Sequence, residues 1–184
     1  MLTMKLLRKI AGRRFARDQR GVSAVEFALV APIMIGLYFG CVEVSDAVSV
    51  DRKVSLTSAA LANLSSQTTS ITANDMANIF DAAGAIIAPY NASSMKMTVT
   101  CINIDANKNA RVKWSVTRNG SVNSGSITLP SALQVANSQL ILAESSYAYQ
   151  PTVGYTITGT LNLADKMYMT PRQTAPTYGS TTCT

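Results

Sequence analysis

"GVSAVEFALVAPIMIGLYFGCVE", residues 21–43, is the stretch whose reading decides the fold. From Val22 to Val42 it is almost entirely apolar and carries a single charge, Glu26. As a helix rising about 1.5 Å per residue it would span roughly 31 Å, the thickness of a bilayer's hydrocarbon core. Before it lie Lys5, Arg8, Lys9, Arg13, Arg14, Arg17 and Arg20 against Asp18 alone. After it come Glu43, Asp46 and Asp51, and only then Arg52 and Lys53.

This asymmetry orients the chain. Cations flanking one end of a membrane helix hold that end in the cytoplasm, so residues 43–184 are expected outside it. The formal net charge of +6 belongs wholly to the first 21 residues, because the basic and acidic side chains of the remainder cancel. The body of the protein therefore offers no electrostatic support for nucleic-acid binding. A buried core helix is the plainer alternative, but its length and its one-sided cations argue against it. A cleaved secretory signal is disfavoured by the full spanning length and by the lack of an A-x-A site after Val42. An Arg-rich, acid-poor mitochondrial presequence would leave Gly21 and Glu26 unexplained.

Gly21 and Glu26 are informative together. Glycine lets a backbone enter a protease cleft without a side chain in the way. Glu26 is an ionisable residue at the edge of an apolar span, where a carboxylate is costly unless it has a partner. The run "RRFARDQRGVSAVEFALVAPIMIGLYFGCVEVSDA" resembles the N-terminus of TadE/TadG-like pilus assembly proteins, the pseudopilins or minor pilins of Tad (Flp) type IV pili. The matching elements are Phe15, Asp18 and Gly21, then Ala24-Val25-Glu26-Phe27-Ala28-Leu29, Pro32 and Glu43. The resemblance covers about 35 residues, and its length favours a TadE-like or short TadG-like protein.

The resemblance implies that a prepilin peptidase cuts after Gly21, with Val22, Glu26 and Phe27 completing the processing site. Glu26 would then pair with the Val22 amine of a neighbouring subunit, or with its own. The alternative reading places Glu26 among headgroups at a helix start, where the dipole favours an anion; the spacing from Gly21 favours the first. The implied partners are the prepilin peptidase, other Tad pilins or pseudopilins, the inner-membrane assembly platform and membrane lipid, with no nucleic acid and no small-molecule substrate. The implied place is the bacterial inner membrane, single-pass, with entry into the pilus left open. The major pilin itself is disfavoured, since Flp-type major pilins are far shorter. An uncleaved anchor carrying a periplasmic binding or sensing domain is the remaining alternative.

Three residues of the span bear on helix packing. Pro32 removes a backbone hydrogen bond, which loosens or kinks a helix. It is either one of the prolines that membrane helices tolerate or a point of flexibility for assembly. Gly36 and Gly40 form a small-xxx-small pair that would let another helix approach closely.

The expected fold is α+β and pilin-like. Ala47, Val50, Val54, Leu61 and Leu64 recur at helical steps, so one helix is expected over about 23–65, its outer half packed on a head domain. Thr72 and Asp75 form a capping box for a second helix over about 73–88, ended by Pro89. Met95, Met97, Val99 and Cys101 alternate with polar residues, as do Val112, Trp114 and Val116, around a hairpin turn at "DANKN". A short helix is possible after Pro130. Strands follow at Leu140–Tyr149, Val153–Leu163 and Lys166–Thr170, giving an antiparallel sheet within a mainly β region over 94–170. Residues 171–184 are read as a tail of loop.

Of three cysteines, Cys41 lies in the span as an apolar filler. Cys101 and Cys183 fall in the extracytoplasmic part, where disulfides persist; a bridge from tail to first strand is expected, with two free thiols as the alternative. The sequence contains no histidine. This excludes Ser-His-Asp and Cys-His machinery and makes a zinc site unlikely. No phosphate-binding or dinucleotide-binding glycine pattern occurs. No cofactor, metal or catalytic residue is expected, and the reading is a structural protein rather than an enzyme.

Overall fold

The computed structural model describes residues 21–151 and 159–184. The basic leader and the first part of the expected Val153–Leu163 strand lie outside the described residues. Helix α1 runs unbroken over Val22–Gln67, straight through Pro32. Its first half is bare: an 18-residue window of mean hydropathy 2.0 has none of its residues buried. Its second half buries Ala47, Val50, Val54, the pair Thr57 and Ser58, and the pair Leu61 and Ala62, at the three- and four-residue steps of one helix face.

The chain then turns through β1 (Ser70–Ile71) into α2 (Ala73–Gly84). The start of α2 is fixed by reciprocal capping. Asp75 N donates to Thr72 Oγ1 at 3.2 Å, and Thr72 N donates to Asp75 Oδ2 at 3.0 Å. The α-helix ends at Gly84, a turn before the expected Ala88, and tightens into a 3-10 turn at Ala85–Ile87. Ala88 is extended, ψ 140°, as a residue preceding proline must tend to be.

Four antiparallel strands form the main sheet: β2 (Lys96–Ile104), β3 (Ala110–Arg118), β4 (Ser138–Tyr149) and β5 (Leu161–Met169), in the order β3-β2-β4-β5. In the β2–β3 turn Asp105 Oδ1 accepts from the backbone N–H of Asn107 and Asn109, both at 2.8 Å. One sheet face carries Met97, Val99, Cys101, Ile141 and Ala143 and packs with Val54, Leu61, Met76 and Phe80 of the helices. On the opposite face Ile102, Ile104, Leu140 and Leu142 form a second core under Leu129, Ile127 and Leu133, with a 3-10 turn at Ser131–Leu133.

The structure corrects the sequence reading in three places. Val112 does not share a face with Trp114 and Val116. A bulge makes Trp114 face Cys101 and Val112 face Ile102, so Lys113 is the extra residue and the alternation slips there. The expected strand ending at Leu163 and the expected strand from Lys166 are one element: β5 pairs with β4 from Tyr149↔Leu161 to Ile141↔Met169 without interruption. The gap left between them, Ala164-Asp165, lies within the strand: the Asp165 carbonyl accepts from Ser58 Oγ at 3.0 Å, and the next residue, Lys166, pairs through Nζ with Glu144 at 2.7 Å.

Residues 171–184, third, are not only loop. Strand β6 (Thr177–Tyr178) pairs in parallel with β1 and antiparallel with β7 (Thr181–Thr182), around Gly179 at φ +58°. Trp114 Nε1 donates to the Pro176 carbonyl at 3.2 Å. Cys101 and Cys183 are joined as a disulfide with Cα atoms 5.9 Å apart, and both are wholly buried.

Candidate functional site: the bare half of the long helix and its junction with the head

Gly21 caps α1 with φ −81° and ψ −18°, a conformation open to any residue. A Cβ built there meets no atom within 4 Å. Among the described residues nothing thus demands glycine at this position. Val22 (52% exposed) and Phe27 (69%) project outward, and Glu26 is exposed as well. Glu26 follows Val22 by four residues, so the two share one face of the helix a turn apart.

Pro32, Gly36 and Gly40 follow one another at four-residue steps. Together with Ile33, Leu37, Cys41, Val44 and Ser45 they line a shallow groove along the bare helix. Small residues at this spacing bring the helix backbone close to the surface. Cys41 is an exposed free thiol on the same stripe.

The helix changes character at Glu43, which is 3% exposed. The sequence reading placed Glu43 on the flank of the span and missed its burial. The signal was present: Glu43, Ala47, Val50 and Val54 continue the head-facing periodicity backwards by one turn. Near it Tyr90 packs against Tyr149 and Tyr147, ring centroids 6.0 and 6.3 Å apart. Burial holds the Tyr149 hydroxyl above its ordinary pKa, and the charges of Asp46 and Glu43 add to this. Tyr90 is raised in the same way, by burial and then by Asp46.

Above the junction the contact between α1 and the sheet is polar and close. Ser145 Oγ donates to the Val54 carbonyl at 2.9 Å and lies 2.5 Å from Ser58 Oγ. Within α1 itself Thr57 Oγ1 donates to the Lys53 carbonyl at 2.8 Å. Cys101 and Cys183 belong to the other end of the head and take no part in this junction. Among the described residues no group of three or more His, Cys, Asp or Glu is placed to hold a metal ion.

A helix long and apolar enough to cross a membrane runs on into an α+β head, and its bare half fits a membrane anchor near the N-terminus. Residues 21–62 match the TadE-like protein family, the family that the N-terminal run resembles, and this points to a Tad pilus assembly-related protein. The match begins at Gly21 and ends inside α1, so the sheet and tail lie beyond it. No curated protein and no solved structure matches the chain.

Proposed function

We propose that this chain is a minor pilin or pseudopilin of a Tad (Flp) type IV pilus, structural rather than catalytic. Residues 1–21 are its cytoplasmic leader, Val22–Val42 its membrane span and residues 43–184 its periplasmic domain. A prepilin peptidase removes the leader after Gly21, and the Val22 amine so released meets Glu26 of a neighbouring copy or subunit during assembly. Other Tad pilins and the inner-membrane assembly platform are its partners, and the stripe of Pro32, Gly36 and Gly40 is the surface on which their helices pack.

The observation that carries this reading is Gly21. It stands where the family match begins, and nothing among the described residues needs it. A glycine without a conformational or steric duty in the folded protein is readily understood as serving the protease. The test is the intact mass and N-terminal sequence of the protein from membranes, with and without the host's prepilin peptidase. A mature chain starting at Val22, absent without the peptidase and absent in Gly21→Ala, is the expected result. A chain retaining its leader in wild-type cells would refute it and leave the uncleaved anchor.

A further inference from the structure

We infer that the head is seated on the outer surface of the bilayer, its lower end within the lipid headgroup layer, rather than held clear of the membrane on a stalk. The inference rests on the proposed span, Val22–Val42. Helix α1 passes through the junction unbroken, and Glu43, the first residue after the apolar run, is already buried by the head. At about 1.5 Å per residue Glu43 stands roughly 1.5 Å above the hydrocarbon core and Asp46 about 6 Å. The headgroup layer on one side is about 5–7 Å deep. No length of helix separates the head from the lipid.

The sheet descends to the same level. Ser145 bonds to α1 at Val54, and from there β4 runs four more residues towards the membrane, about 14 Å, to Tyr149. Tyr149 thereby reaches the height of Asp46, whose charge it senses. Tyr149 is itself buried, and the partly buried Tyr90 packs beside it, so Tyr90 is the tyrosine of the pair that leaves surface for the headgroup layer, a depth at which this residue type settles. Beside the head α1 exposes Val44 (49%), about 3 Å above the hydrocarbon core and so within the headgroup layer; lifted clear, it would meet water.

The test uses the full chain in phosphatidylcholine nanodiscs containing a lipid with a nitroxide on its headgroup, which quenches tryptophan at short range. Trp114 supplies a constant background: it faces Cys101, which faces Ile141, and Ile141 lies eight residues along β4 from Tyr149, roughly 27 Å up. Four reporters are added singly. Gln150→Trp is an exposed position beside Tyr149. Val135→Trp stands at the far end, where Ser138 Oγ donates to its carbonyl at 2.6 Å. Phe39→Trp lies within the proposed span. Tyr90→Trp serves as a second reporter at the junction.

Loss of most of the added emission at Gln150→Trp and Phe39→Trp, with Val135→Trp unaffected, is the expected result. Quenching at Phe39→Trp, with Gln150→Trp and Tyr90→Trp as bright as Val135→Trp, would overturn the seating while leaving the span intact. An unquenched Phe39→Trp would overturn the span itself, and the seating with it.

Discussion

Replacing both Cys101 and Cys183 by alanine tests what the C-terminal crosslink contributes. The two residues are 82 positions apart in sequence, and the bridge closes the chain from β2 to the C-terminal tail into one loop. Forbidding the unfolded chain that freedom corresponds to about 4.5 kcal/mol by the loop-entropy relation. Both sites are wholly buried, so the alanines leave no polar atom unpaired in the core. The assay is urea unfolding of the full chain in mild detergent, followed by Trp114 fluorescence. Trp114 is a suitable reporter because it bonds to Pro176 and lies 5.8 Å from the Tyr178 ring, both in the tail that the disulfide holds. At an m-value of about 2 kcal/mol/M the midpoint should fall by about 2 M in the double variant. A fall under about 0.5 M, with m unchanged, corresponds to about 1 kcal/mol and would refute the argument that the bridge stabilises by constraining the unfolded head.

Three further outcomes are expected. Leu61→Ala removes a fully buried side chain from the seam between α1 and the sheet and should cost 2–5 kcal/mol, read in the same urea assay, while processing at Gly21 is unchanged. Thr72→Ala should cost about 1 kcal/mol by stripping the α2 cap, and an unchanged midpoint would show that α2 is held by packing alone. Acid should weaken the head. Hydrogen bonds to Thr72 hold Asp75 below its ordinary pKa, and those from Asn109 hold Asp105 below its own. Unfolded aspartates, with a pKa of about 3.9, then bind protons that the folded ones refuse, so this stability is present above that value and is lost as pH falls through the folded pKa. Urea midpoints should drop between pH 6 and pH 3, and less in Asp105→Asn than in wild type; equal drops would show that Asp105 takes no part.

The long helix was legible because its signals are local. An apolar run of bilayer length, then Ala47, Val50, Val54 and Leu61 at helical spacing, needs no knowledge of the rest of the chain. The α2 cap was legible for the same reason, since Thr72 and Asp75 satisfy each other's backbone within one turn. The β5 strand was read as two because Ala164 and Asp165 interrupt the apolar pattern, and only its continuous pairing with β4 shows one element. The tail was misread because β6 and β7 are two residues each, and they are held by backbone pairing with β1 and by the bond from Trp114, neither of which leaves a side-chain pattern.

The sequence by itself determined a cationic N-terminal segment, a helix of bilayer length with glycine and glutamate at its start, and an α+β body after it. Charge, hydropathy and spacing are properties of neighbours along the chain, and they act before any folding. Tertiary structure decided where the bare helix becomes a buried one. It put Glu43 under the head, brought Tyr90 beside Tyr149, slipped β3 by a residue and drew Cys183 against Cys101. Each of these depends on contacts between segments far apart in sequence, whose energies exist only once the sheet has set its register.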